Sequence, residues 1–159
     1  MSELNSANNE GQRVKTAQSR YFGLFDNLLD KANSGPTYLS EPAIAKIVVD
    51  SLHYLDSRDW TLISFCIMPN HVHLVVEKPE KELFRILQSH KRHTARESDK
   101  LLNRTGNFWQ AESYDHCVRD GNELERIIKY VLNNPVKAAL VKSWEDWPHS
   151  YCKPALNPM

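Results

Sequence analysis

Hydrophobic residues recur at every second position on both sides of Pro69-Asn70. Ile63, Phe65 and Ile67 precede the break, and Val72, Leu74 and Val76 follow it. This is the period of half-buried strands joined by a turn, so Trp60 to Ile67 and His71 to Glu77 are predicted to pair as a hairpin. Elsewhere the spacing is helical. Phe22, Phe25, Leu28 and Leu29 predict a short amphipathic helix over Tyr21–Ala32, broken by Asn33-Ser34-Gly35-Pro36. Ser40 as N-cap and Pro42 in the first turn open a helix to about residue 56, with Ile44, Ile47, Val48, Leu52 and Leu55 as its apolar stripe. Glu82 to about Ser98 is a third helix. Leu83, Ile86, Leu87, His90 and Thr94 lie on one side of it, and Arg85, Gln88, Ser89, Arg92 and Arg96 on the other. Ser113–Arg119 reads as a last main strand. Asp120 with Glu123 starts a helix carrying Leu124, Ile127, Ile128, Val131 and Leu132, expected to end near Asn134 because Pro135 follows. Trp144, Trp147 and Tyr151 form an aromatic tail expected to return to the sheet.

Composition narrows the class. At 159 residues there is room for one domain, taken as 20–159 behind a polar, poorly ordered tail at 1–19. Lys plus Arg equal Asp plus Glu at 20 each, so no global basic field points to nucleic acid. A local one exists: residues 82–104 hold six Lys or Arg against three Asp or Glu. On its own that is an ordinary solvated helix face. Three scattered cysteines without a CxxC pair, and no run long enough to cross a membrane, predict a soluble, cytoplasmic protein with no disulfide frame and no membrane partner.

The candidate chemistry lies in the hairpin and the last main helix. His71 and His73 stand at i and i+2 on one face of a strand, close enough to share a metal ion or a phosphate. A packing role for each stays open, although two imidazoles on an apolar strand are costly to bury unless they bind something. Tyr130 and Asn134 are one helical turn apart, beside the apolar stripe. Separately they read as a packing tyrosine and a helix-end residue. Together they suggest a metal held by His71, His73 and Asn134 with Tyr130 beside it. A phenolate there could attack a phosphate ester and keep its energy in the new ester, with no nucleotide cofactor.

Six blocks occur in a fixed order. Met-Pro-Asn-His-Val-His-Leu-Val-Val (68–76) is followed by Leu-Gln-Ser-His-Lys-Arg-His-Thr-Ala-Arg (87–96) and Phe-Trp-Gln (108–110). Tyr-Asp-His-Cys-Val-Arg-Asp (114–120), Tyr-Val-Leu-Asn-Asn-Pro-Val-Lys-Ala-Ala-Leu-Val (130–141) and Asp-Trp-Pro-His-Ser-Tyr (146–151) complete the series. The series resembles the single-tyrosine transposases, most nearly the REP-associated branch, over roughly residues 40–151. The resemblance implies an α+β fold, a ferredoxin-like antiparallel sheet with helices on one face. It implies Mg²⁺ or Mn²⁺ at His71 and His73, completed by Asn134, and Tyr130 as the nucleophile. That residue would cut single-stranded, hairpin-forming repeat DNA, join its 5′ phosphate and leave a 3′ hydroxyl. Arg85, Arg92 and Arg96, with Lys91 nearby, become a candidate phosphate track. His116 lies in a family-like block and is read as structural. His149 stands where relatives tend to carry an apolar or small residue. Relatives also carry a strand ahead of the first helices, and none is visible in residues 1–19. Either a poor strand hides in Arg13–Phe22 or the chain is N-terminally shortened. The second case would favour a decayed relative that binds structured DNA without cutting it. A binuclear zinc hydrolase would need more His and Asp ligands than flank His73. The oligomeric state is left open, with a monomer slightly preferred.

Overall fold

The computed structural model describes residues 21–27, 36–77, 82–110 and 114–159. The tail at 1–19 lies outside them. Strands β2 (Thr61–Ile67) and β3 (His71–Glu77) form the expected antiparallel hairpin. Its turn is closed by the Met68 N–H donating to the His71 carbonyl at 2.8 Å.

The largest departure from expectation is at Tyr21–Asn27. This segment is strand β1, not a helix, and it pairs antiparallel with β3 along its whole length. The strand ahead of the first helices is therefore present, beginning within the last two residues of the interval Arg13–Phe22 and running on to Asn27. Helical spacing of Phe22 and Phe25 misled because propensity is a weak prior beside a ladder on both sides. Leu24 points into one core layer, and Tyr21 packs against the other. The remainder of the predicted helix, residues 28–32, lies outside the described residues.

Strand β4 (Tyr114–Cys117) pairs with the outer side of β1, and β5 (Ser150–Cys152) with the outer side of β2. The sheet order is β4-β1-β3-β2-β5, all antiparallel. The aromatic tail does return to the sheet: Tyr151 belongs to β5, and Trp147 Nε1 donates to the Ile67 carbonyl at 3.0 Å.

Three α-helices accompany the sheet among the described residues. Helix α1 (Pro42–Leu55) begins at the predicted proline, but Glu41 is its N-cap. Ser40 instead ends a 3₁₀ turn over Tyr38–Ser40. Helix α2 (Leu83–Leu102) runs one turn further than predicted, its face continued by buried Ser98, and stops at Asn103 in the left-handed region. Helix α3 (Gly121–Lys137) starts as predicted, with the Asp120 carboxylate accepting from the Glu123 N–H at 2.7 Å. It does not stop before Pro135. The proline removes one ladder donor, but only two helical residues follow, its ring is buried, and the Ala138 N–H closes the end on the Asn134 carbonyl at 3.0 Å.

The helices divide between the two faces rather than sharing one. Helices α1 and α2 meet Phe65, Ile67, Val72, Leu74 and Val76. Helix α3 meets Ile63, Cys66, Met68 and Val75. Strand β2 is consequently buried from Leu62 to Ile67 on both sides, not half-buried as its alternation suggested. A register irregularity at Leu62–Ser64 sends Ile63 to the α3 side and Phe65 to the other.

Candidate active site

On the α3 face of the sheet, β3 presents His71 and His73 side by side, with ring centroids 4.9 Å apart. His73 is 8% exposed and stands edge-on to the Tyr130 ring, centroids 5.4 Å apart. Tyr130 is itself 56% exposed, so its ring leans on His73 while much of the side chain faces solvent. Asn134 follows one turn along α3 and lines the same groove as Tyr130. Two imidazoles and a phenol from elements far apart in sequence thus meet, with the Asn134 amide one turn beyond the phenol on α3.

A single stripe of α3 sets this placement. Residues 123, 127, 130 and 134 recur at helical spacing. Glu123, 5% exposed, accepts from Arg119 Nε at 2.6 Å and hydrogen-bonds His116 of β4. Those two partners hold the Glu123 carboxyl down at about 2, His116 first and Arg119 second. Ile127 then crosses β1 at Gly23, where an added Cβ would lie 3.6 Å from its Cγ2. Tyr130 reaches β3 at His73. The helix therefore traverses β4, β1 and β3 in turn, anchored by an ion pair at its first turn. His116 here is engaged with the first turn of α3.

The electrostatics suit neutral ligands. Burial lowers the pKa of His71, and burial together with the neighbouring His71 brings His73 down to about 4. Both rings are neutral near pH 7 and retain a lone pair. His71 Nδ1 donates to Asn70 Oδ1 at 2.7 Å, which leaves Nε2 as its lone-pair nitrogen. Asn70 was read only as a turn residue; its second task, orienting His71, depends on a contact that spacing does not reveal. No group of three or more His, Cys, Asp or Glu converges among the described residues, so a third protein ligand would come from an amide such as Asn134. Cys66, opposite His73 in the β2–β3 register, is fully buried, and burial pushes its thiol up to about 12. It stays protonated and is a poor ligand.

The basic residues predicted on α2 are not gathered here. Arg85, Arg92 and Arg96 are exposed, but α2 lies on the other face of the sheet. Arg85 approaches Glu82 and Arg96 approaches Glu97, each at 3.6 Å, and Lys91 Nζ donates to the Gln110 carbonyl at 2.7 Å. The cations beside Tyr130 are Arg126, Lys129 and Lys137 of α3. Sequence reading overlooked them because charge was counted per helix, and these three are spread along a mixed-charge one. No described helix is long and apolar enough to cross a membrane.

Comparison with known proteins matches residues 44–134 to the family described as "Transposase IS200 like". A protein of Haemophilus influenzae named as a REP-associated tyrosine transposase is 28% identical over 99 residues, 55% of this chain and 56% of that protein. The chain thus spans little more than half the length of that relative. A solved structure of a REP-associated tyrosine transposase bound to a REP hairpin superposes with a TM-score of 0.62 over 83% of this chain and 76% of that one. At 19% identity this likeness carries the fold.

Proposed function

The chain belongs to the IS200-like transposase family, and from that premise we propose that it cuts and rejoins single-stranded DNA beside a hairpin through a covalent bond to Tyr130. The observation that carries this reading is the Tyr130 ring seated against His73, with His71 alongside. In the forward step the Tyr130 phenol oxygen bonds to phosphorus as the bond from phosphorus to the 3′ oxygen breaks. The phenol loses a proton and the departing 3′ oxygen gains one. The DNA keeps its 5′ phosphate on the tyrosine, and attack by a 3′ hydroxyl reverses the step. Ester replaces ester, so no nucleotide cofactor is consumed.

His71 and His73 would suit a divalent ion, since each offers a neutral nitrogen on one face of β3, and Asn134, one turn beyond Tyr130 on α3, would add its amide oxygen. When bound there, Mg²⁺ or Mn²⁺ would polarise the phosphate and help orient it. The chain's own contributions are distinct. Asn70 fixes the His71 ring, His73 supports the Tyr130 ring, and the Glu123 network fixes the helix that delivers both Tyr130 and Asn134. On α2, Arg85, Lys91, Arg92 and Arg96 face DNA that passes the far side of the sheet, a separate contact from the reacting strand. A relative that binds without cutting has less support here, because the absent strand that argued for it is β1.

The test uses single-stranded hairpin oligonucleotides from repeats flanking the gene, with Mg²⁺ or Mn²⁺. A covalent protein–DNA band is expected on a denaturing gel, dependent on the ion. Tyr130→Phe should abolish the band and keep DNA binding. A band of undiminished intensity from that variant would remove Tyr130 from the chemistry.

A further inference from the structure

Tyr130 stands on a ridge between two unlike depressions. On one side is an open groove of about 500 Å³ lined by Arg126, Lys129, Asn133, Asn134 and Lys137. On the other is a cleft of about 340 Å³ whose walls are chiefly apolar, among them Gly23, Tyr114, Ile127 and Val131, with His73 at the Tyr130 end. Tyr130 lines both. In the groove, Lys129 reaches Glu125 at 3.1 Å, while Arg126 and Lys137 show no ion pair among the described residues. In the cleft, Tyr114 is 61% exposed on the edge strand β4, and a tyrosine so placed adds little to the core.

A nucleotide has two ends with opposite needs. Its phosphate is charged and costly to desolvate, so it belongs with cations in an open groove. Its base has an apolar π face and belongs in an apolar slot against an aromatic ring. Gly23 helps keep that slot open. It sits in the cross-strand row between His116 and Val75. A Cβ there would already touch Ile127 at 3.6 Å, and anything larger would begin to fill the cleft.

We propose that a single strand crosses α3 at Tyr130 with its phosphates along Arg126, Lys129 and Lys137. The base adjoining the reacting phosphate is turned the other way and stacks on Tyr114 in the cleft. This rests on the phosphotyrosine reading and adds to it a base-binding subsite and the direction in which the backbone lies. Tyr114 thereby holds the nucleotide whose phosphate Tyr130 attacks, and the cations hold its neighbours without reading sequence.

The experiment uses the full chain carrying Tyr130→Phe, so that no strand is cut. Probes are hairpin oligonucleotides with 2-aminopurine, or an abasic site, at successive unpaired positions beside the stem. Emission and anisotropy are followed against NaCl concentration. Quenching is expected at one unpaired position. Adding Tyr114→Ala should restore the emission there and weaken binding of the flanked hairpin about tenfold, with the salt slope unchanged; Tyr114→Phe should behave as the parent. Arg126→Ala and Lys137→Ala should each lower the salt slope by roughly 0.7 and keep the quench. Quenching that survives Tyr114→Ala overturns the subsite. So does an abasic site that weakens binding equally with and without Tyr114. Salt slopes unmoved by both cation variants overturn the backbone path. Covalent attachment by Tyr130→Phe would instead overturn the phosphotyrosine chemistry and leave these binding results standing.

Discussion

Along β3, Val72, Leu74 and Val76 meet two helices, whereas His71 and His73, at intervening positions on the same strand, look towards only one. The α1/α2 face is tightly packed where the helices meet the sheet. Leu39, Leu52, Leu62 and Phe65 are all essentially inaccessible, and even its buried histidine is tied down, with His90 Nδ1 2.7 Å from Ser51 Oγ between α1 and α2. The α3 face is also packed beneath the helix, by Ile63, Val75, Ile128 and Leu132. One helix cannot cover a five-stranded sheet, however, and among the described residues the margin towards β4 that α3 leaves open holds Tyr114, His116 and the cleft. The difference shows where polar groups can be kept ready for a substrate. A side chain covered by two helices is committed to packing, while one on the face with a single helix can stay near solvent and meet a ligand.

Exchanging substitutions between the faces tests this division. The largest effect on chemistry is expected from His73→Ala. Covalent attachment to a hairpin oligonucleotide should drop below detection on a denaturing gel, with a thermal midpoint within a few degrees of the parent; attachment at the parent rate would detach the site from β3. Leu52→Ala on the α1/α2 face should do the reverse. It should lose about 2–5 kcal/mol in urea unfolding and leave attachment per folded molecule intact. Next in size is Asn70→Ala, which removes the acceptor of the His71 Nδ1 proton. A loss of about 10- to 100-fold in Mn²⁺ affinity, read by calorimetry, is expected, and an unchanged affinity would confine Asn70 to the turn. The smallest effect is at Glu123→Gln. Its carboxyl is held at about 2, below the ordinary 4.5, so its contribution to stability is full above the ordinary value and fades as pH falls towards 2. Urea midpoints of the parent should therefore fall more steeply than those of the variant between pH 4.5 and 2. Parallel curves would show that the carboxylate has the same surroundings folded and unfolded.

Much of this was visible in the chain. The hairpin, α1, α2, the start of α3 and the return of the aromatic tail follow from local periodicity, with Asp120 capping α3 as expected. Two of the departures share a cause: a helix over Tyr21–Ala32 and an end to α3 near Asn134 both follow from local rules alone. Strand β1 draws its stability from neighbours 44 to 56 and 89 to 95 residues away, and Pro135 is tolerated because the helix has almost finished. Within the site, His71, His73, Tyr130 and Asn134 stood out by residue type and spacing. Asn70, Gly23 and Tyr114 did not, since an orienting amide, a missing side chain and an exposed ring acquire meaning only from what stands opposite.

The sequence by itself determined which residues alternate, which lie one turn apart and which chemical groups the chain owns, since those depend only on the fixed periods of strand and helix. Tertiary structure alone decided that β1 completes the sheet, that the helices divide between its faces, and that the Arg85–Arg96 cations and Tyr130 end up on opposite sides. Sidedness is a property of layers, and layers exist only after distant segments have paired. Two stripes that look equivalent in sequence can therefore be packed away in one case and open to a ligand in the other.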